Sequence, residues 1–277
     1  GNEIPAQATS CPHCGRPSLF PNVRAASLPE EVAALAERFA AARTDVEARG
    51  CGAVADAFMQ RIDRSKPVIM RPFSEVERLA RNDHQIFSTY YRQVEAEIRL
   101  PHTSAWDPIR RLADEALFPG YKENIRFAAL TLNDRGLPHY GDCFLILRPT
   151  MIAHRTSVFE ENSVVFMKRR DLELRDMMNI VPGYRAPWAD RAKLCLAKLG
   201  SALQPDTTEA DFSSLLLRSG KTPQEDDFVE VHVWGPITIR TVEKVVLVKP
   251  LMGRAAKAML RVWGERLSQY GVTLEVT

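Results

Sequence analysis

The sequence predicts an α+β protein in which an N-terminal helical region is followed by a mixed domain of strands and helices. Up to about residue 118, apolar residues recur at helical spacing, as Ile109, Leu112 and Ala116 do. Beyond Pro119, short runs rich in β-branched and aromatic residues alternate with helical segments. We therefore divide the 277-residue chain into regions 1–118 and 119–277.

Four helices are predicted in the N-terminal region. The first follows Ser27, where an N-cap residue, Pro29 and Glu30 precede an alanine-rich run that stops near Gly50. The others span about 53–62, 74–100 and 104–118, and together the four helices predict a bundle.

In the C-terminal region the periodicity switches between two and 3.6 residues. A turn at 133–136 separates the first two strands. The predicted strands are 125–132, 142–147, 164–167, 228–234, 242–248 and 272–276. The predicted helices are 171–178, 188–199, 207–217 and about 251–270.

Composition excludes several classes of protein. Lys and Arg total 37 against 35 Asp and Glu, so the net charge is only +2 and no global basic field indicates a nucleic-acid partner. No apolar signal region and no apolar run of about 20 residues is present. Five cysteines in unrelated contexts argue against a disulfide framework. We expect a cytoplasmic protein without a membrane partner.

The segment Phe228–Trp234 alternates strictly in polarity. Its valines at every second position share one face, whereas Glu230, His232 and Trp234 share the other. One interpretation is a half-buried strand with a solvated Glu and His, as antiparallel sheets commonly have. The other is a strand that presents chemically active groups to a site.

A second group of polar residues begins at Tyr140 and continues through 154–157 to 161–163. Each member on its own is typical of turns and helix caps. Their clustering between two predicted strands favours a site.

These blocks carry a resemblance. Together, several blocks look like an uncharacterised bacterial family that is similar to the ADP-ribosyltransferase domains of polymorphic toxins. The blocks are Tyr140-Gly141, the apolar strand after it, 155–157, 162–163, 229–236 and 242–246. The resemblance covers roughly residues 120–250. It implies an ADP-ribosyltransferase-like fold that transfers ADP-ribose from NAD to an unknown macromolecular acceptor, protein or nucleic acid. It also implies a toxin-like or anti-phage role and an inhibitory partner protein.

The resemblance assigns roles to individual residues. Glu230 takes the place of the catalytic glutamate, and Ser157 that of the serine in the Ser-Thr-Ser-like strand. Arg155 is the candidate for the NAD pyrophosphate, with Arg126 and Arg148 as alternatives. Further NAD-binding candidates are Tyr140, Ser163 and His232.

The chemistry suits these residue types. Cleavage of the nicotinamide glycosidic bond develops an oxocarbenium-like ribose, which a fixed carboxylate can stabilise. A guanidinium grips a pyrophosphate through two parallel hydrogen bonds, as an ammonium cannot. Phe228 stands where the commoner family pattern has Gln or Glu, two residues before Glu230, and this departure argues against protein arginine as the acceptor.

Near the N-terminus, Cys11 and Cys14 form half of a zinc ribbon. A closed structural zinc site has four ligands, and no second Cys-x-x-Cys pair exists. The candidates to complete the site are His13, Cys51, His84 and His102. The alternative is a pair of free thiols.

Other motifs are incomplete. Ser219–Thr222 resembles the end of a phosphate-binding loop, but Leu215 replaces the earlier glycine and Pro223 blocks the helix that must follow. Cys143 has His139 and His154 as neighbours in the sequence but no orienting partner. The principal alternative function is therefore a non-enzymatic interaction module of the same fold, which docks a partner or nucleic acid.

Overall fold

The α+β class is confirmed by the computed structural model of the protein. The structure describes residues 8, 10–11, 13–15, 18–87, 106–169, 181–248 and 254–277. Within these residues no helix is long and apolar enough to cross a membrane.

The helices are α1 Pro21–Ala26, α2 Pro29–Ala48, α3 Gly52–Ile62, α4 Phe73–Leu79, α5 Trp106–Leu117, α6 Pro149–Ile152, α7 Ser163–Arg169, α8 Arg191–Leu199, α9 Phe212–Leu216 and α10 Arg254–Ser268. The strands are β1 Lys66–Arg71, β2 Ile125–Thr131, β3 Cys143–Leu147, β4 Thr156–Phe159, β5 Arg185–Pro187, β6 Leu217–Arg218, β7 Asp227–Phe228, β8 Glu230–Trp234, β9 Val242–Leu247 and β10 Thr273–Val276.

Among the described residues, eight strands form one sheet in the order β10-β9-β3-β1-β2-β8-β4-β5. Only β9 and β10 are parallel, and the other neighbours in this sheet are antiparallel. Strands β6 and β7 make a separate two-stranded ribbon. Strand β8 therefore lies inside the sheet, between β2 and β4.

The predicted N-terminal helical bundle is wrong at Lys66–Arg71. This segment is strand β1, which pairs with β2 on one side and β3 on the other. Pro67 in the sequence indicated a break after a helix, but the two flanking strands supply the hydrogen-bond partners that make the segment a strand. One sheet and one core therefore contain residues from both sides of the predicted 118/119 boundary.

Helices cover both faces of the sheet. On the first face, the valines of β8 pack with residues of α2, α3 and α8 in the largest apolar cluster, which includes Leu35, Phe58 and Leu196. On the opposite face, α5 and α7 cover β2, β8 and β4 through a cluster that includes Leu117, Phe159 and Phe166. A third cluster with Ala129, Phe144 and Phe228 lies beside it over β1 and β3. The alternation predicted for Phe228–Trp234 thus separates two buried faces rather than a buried and a solvated one.

Other predicted elements change type or length. Residues 164–167, predicted as a strand, belong to helix α7, because Asn162 caps this helix by accepting hydrogen bonds from Val164 N (3.0 Å) and Val165 N (3.2 Å). The helix predicted at 74–100 ends at Leu79 in α4, and the one predicted at 207–217 shortens to α9. The predicted helix 171–178 and residues 88–100 lie outside the described residues.

Gly141 precedes β3 where the chain passes close to β1. Its φ is +151°, and a Cβ atom here would lie 2.3 Å from the carbonyl carbon of Arg71. A backbone atom cannot move away as a flexible side chain can, so only glycine fits. The Tyr140-Gly141 pair thus fixes how the turn before β3 lies against the sheet.

Candidate functional site

Register places the predicted catalytic residues on one face of the sheet. Directly paired residues of antiparallel strands point to the same side. His232 of β8 pairs with Ser157 of β4 and with Phe127 of β2, and Glu230 pairs with Phe159 and Ala129. Glu230, His232 and Ser157 therefore share the face covered by α5 and α7.

The carboxylate of Glu230 is held in place from two directions. His232 Nε2 lies 3.0 Å from its Oε2, and the backbone N–H of Ser163 donates to the same oxygen over 3.2 Å. Because a carboxylate oxygen only accepts, the first bond places the ring proton of His232 on Nε2. The side chains of His232 and Glu230 are only 2% and 4% exposed. The result is a carboxylate of fixed orientation in the protein interior.

Aromatic rings enclose His232. Its ring contacts Phe118 edge to face at 4.7 Å between centroids, Phe127 at 5.4 Å and Phe159 at 6.1 Å. Phe118 immediately follows α5, Phe127 lies on β2 and Phe159 lies on β4. Three separate parts of the chain therefore hold the imidazole in place. The orientation of His232 therefore depends on the packing of this whole side of the sheet.

Ser157 is engaged by the first helix. Asn22 of α1 is 2% exposed, and its side-chain N–H group lies 3.2 Å from Ser157 Oγ, 2.9 Å from the His232 carbonyl oxygen and 3.2 Å from the Arg155 carbonyl oxygen. The amide has two hydrogens, so at most two of these acceptors bind strongly at one time. Nothing in the local sequence around Asn22 indicated this role, since its partners are 133 to 210 residues away.

The arginine candidates do not converge on Glu230. Arg126 pairs with Val233 in the register of β2 and β8, which places it on the opposite face of the sheet. The guanidinium of Arg155 donates to the carbonyl oxygens of Trp234 and Pro236, and burial lowers the pKa of its side chain. Arg148 donates to the carbonyl oxygens of Val242 and Gly271. The guanidinium groups of Arg155 and Arg148 are thus bound to backbone carbonyls, and Arg126 lies on the other face of the sheet.

Tyr140 lies on the same side of the sheet as Glu230. It packs on the cluster that contains Ala129, the cross-strand partner of Glu230. Burial raises the pKa of Tyr140 to about 12, with a smaller contribution from the nearby carboxylates of Asp226 and Glu230. Its hydroxyl therefore stays protonated over the physiological range. Of the predicted NAD-binding residues, Tyr140, Ser163 and His232 are thus on the Glu230 side.

Sequence reasoning missed a second polar group next to this site. His139 Nδ1 lies 3.1 Å from both carboxylate oxygens of Asp226, whose side chain is fully buried. Asp226 also accepts hydrogen bonds from Gly220 N (2.9 Å) and Ser219 Oγ (3.2 Å). The only sequence signal was the acidic run Glu225-Asp226-Asp227 before a strand, which is ordinary for a surface loop.

The cysteine pair near the N-terminus lies on the surface. Backbone hydrogen bonds from His13 and Cys14 lower the pKa of Cys11, and Gly15 N donates to the Cys11 carbonyl over 2.8 Å. Among the described residues, no group of three or more His, Cys, Asp or Glu can hold a metal ion.

Of the residues predicted to complete a zinc site, Cys51 is buried against Leu203, and the side chain of His84 is 91% exposed beside Asp83. His102 lies outside the described residues.

The sequence matches no protein-family model and no curated protein.

Proposed function

We propose that the protein is an NAD-dependent ADP-ribosyltransferase whose catalytic carboxylate is Glu230. One observation carries the proposal: Glu230 is fixed by His232 and by Ser163 N–H in the protein interior, on the same face of the sheet as Ser157. A carboxylate that is already oriented and shielded from water stabilises developing positive charge far better than a mobile one in solvent.

The proposed reaction uses this carboxylate as the nicotinamide leaves. The bond between C1′ of the ribose and the nicotinamide nitrogen breaks, and its electron pair departs with neutral nicotinamide. Positive charge develops on the ribose, and Glu230 stabilises it by accepting a hydrogen bond from a ribose hydroxyl. His232 keeps the carboxylate in one orientation throughout, and Ser157 on the neighbouring strand contributes a further hydroxyl to the same face.

Substrate access sets a condition on this proposal. Glu230 and Ser157 are each only 3% exposed, and Asn22 holds Ser157. NAD therefore reaches the carboxylate only when the segments over it move. Helix α1 is short: its six residues compare with twelve in α5 and seven in α7.

The decisive experiment measures nicotinamide release from NAD by the purified protein, with cell lysate as a source of acceptors. We expect Glu230→Gln to lower release by at least about 100-fold, since it removes the negative charge but keeps the shape. Glu243→Gln is the matched control, because Glu243 is a glutamate on strand β9 of the same sheet that pairs with Lys66 at 2.7 Å. Absence of release by the wild-type protein, with no heat of NAD binding in calorimetry, refutes the proposal.

A second candidate function is a non-enzymatic interaction module. The observation that favours it is that both proposed catalytic side chains are engaged in internal hydrogen bonds and almost completely covered. In that case the toxin-like and NAD-related expectations fail together. A wild-type protein that neither releases nicotinamide nor binds NAD supports this second candidate over the enzyme.

A further inference from the structure

The carboxylate of Asp226 orients the imidazole of His139. The reaction proposed above does not use this pair. His139 belongs to the single turn of 3₁₀ helix at Pro138–Tyr140, and Asp226 immediately precedes β7. Both carboxylate oxygens of Asp226 lie 3.1 Å from His139 Nδ1. The Asp226 side chain is fully buried, whereas that of His139 is 26% exposed.

This geometry fixes the tautomer of the neutral imidazole. A carboxylate oxygen accepts, so the ring proton resides on Nδ1, and in the neutral ring the lone pair is on Nε2. An imidazole held in this way by a carboxylate is the arrangement that enzymes use for a general base.

A purely structural role explains only part of the arrangement. Asp226 anchors the loop between β6 and β7 by accepting hydrogen bonds from Gly220 N and Ser219 Oγ, and neither bond involves His139. A histidine is not needed to close the loop. The partial exposure of the ring, beside a fully buried carboxylate, is what a base that meets a substrate requires.

The pair lies on the Glu230 side of the sheet. Leu137 and Tyr140, which flank His139, pack on the apolar cluster that includes Ala129 and Phe228. Ala129 is the cross-strand partner of Glu230, and Phe228 precedes Glu230 by two residues in the chain. His139 is therefore attached to the same part of the sheet as the proposed catalytic carboxylate.

We propose that His139 is the general base for the acceptor in ADP-ribose transfer, and that Asp226 is its positioning residue. This inference rests on the proposed function. As the nicotinamide leaves C1′, the acceptor atom forms its bond to C1′ and its proton passes to His139 Nε2, which then releases it to water. The balance is NAD plus H–X giving ADP-ribosyl–X, nicotinamide and a proton.

The base also restricts the acceptor. A carboxylate carries no proton to remove and is repelled by the carboxylates of Asp226 and Glu230. An acceptor that attacks through an O–H or N–H group needs this base and meets no such repulsion. The acceptor class is thus a hydroxyl or nitrogen nucleophile, not an acidic side chain.

The test separates transfer from the rest of the reaction. NAD labelled in its adenylate part is incubated with lysate acceptors, and label transfer is measured for wild type, His139→Ala, Asp226→Asn and Glu230→Gln. We expect His139→Ala to lower transfer about 100-fold with little change in NAD affinity by calorimetry. Added imidazole should restore a substantial part of the activity, which a merely structural histidine does not allow. Asp226→Asn should lower kcat more than it raises KM.

The outcomes are distinguishable. Wild-type transfer that Glu230→Gln abolishes but His139→Ala leaves intact, or a His139→Ala loss that imidazole does not restore in a folded variant, overturns the base role alone. No transfer and no nicotinamide release by the wild type overturns the proposed function and the base role with it. Circular dichroism of each variant shows whether it is folded, and His139→Gln serves as a second variant if His139→Ala is not.

Discussion

The amide of Asn22 donates a hydrogen bond to Ser157 Oγ across 3.2 Å, although the two residues are 135 positions apart. The same amide reaches the backbone carbonyl of His232 at 2.9 Å. Helix α1 is thereby attached to two neighbouring strands at the place where the proposed catalytic residues lie. The stability of this helix and the accessibility of the site are consequently coupled.

Asn22→Ala tests that attachment. The substitution leaves buried acceptors on Ser157 and His232 without their donor, which should lower the free energy of unfolding by about 2 kcal/mol. Asn22→Asp should be more destabilising, because a carboxylate cannot donate and would face carbonyl oxygens. Urea unfolding followed by circular dichroism measures both. Two variants as stable as the wild type would show that α1 is not held by this contact.

A buried ion pair attaches α2 to β5. Glu31 is 2% exposed, and its carboxylate accepts hydrogen bonds from Arg185 Nε and Gly183 N, both at 2.6 Å. Glu31→Ala leaves the charge of Arg185 without its partner and should cost about 3–5 kcal/mol. Glu30→Ala, on the exposed side of the same turn, is the control and should change the unfolding midpoint little. Equal effects of the two variants would contradict this account.

The thiols should divide into two classes by reactivity. Cys14 is exposed and Cys11 is half-buried, whereas Cys51, Cys143 and Cys195 are buried. A coloured aromatic disulfide reagent should therefore label two thiols rapidly and the remaining three only after unfolding. Rapid labelling of more than two thiols in the folded protein would contradict the buried positions.

The same buried thiols predict a loss of stability in alkali. Burial raises the pKa of Cys143 and of Cys195 to about 12 each. Above the ordinary thiol pKa of about 8.5, the unfolded chain releases these protons while the folded chain retains them. The stabilisation is thus complete below about pH 8.5 and is lost as the pH rises toward 12. The urea midpoint should fall over this interval, and Cys195→Ala should flatten the decline.

Zinc binding by Cys11 and Cys14 is tested with Co²⁺ as a spectroscopic substitute. We expect Co²⁺ to produce the thiolate-to-metal absorption of a sulfur-bound ion, because two closely spaced thiols supply half of a tetrahedral site. Cys14→Ser should remove this absorption. His84→Ala should leave it unchanged, since His84 is exposed and paired with Asp83. Absence of the absorption in the wild-type protein would leave the two cysteines as free thiols.

Sequence periodicity predicted the helices and strands that depend mainly on their own residues. Helix α2 follows from its apolar spacing, N-terminal Pro29 and closing Gly50, and α3 follows from its apolar spacing. Strands β2, β3, β8 and β9 follow from their β-branched and aromatic residues, with strict alternation in β8. The opposite faces of Glu230 and the β8 valines were also predictable, because alternation in a strand is a property of the backbone itself.

Only the tertiary structure decided which polar groups meet. The sequence did not predict β1, because Pro67 indicated a break in the chain. The segment forms a strand because β2 and β3 pair with it on either side. The contact of Asn22 with Ser157 and that of His139 with Asp226 each join residues that are distant in the chain. The burial of Glu230 likewise depends on elements from distant parts of the chain. Local sequence cannot encode such meetings, because they depend on strand order and register, which the packing of the whole sheet sets.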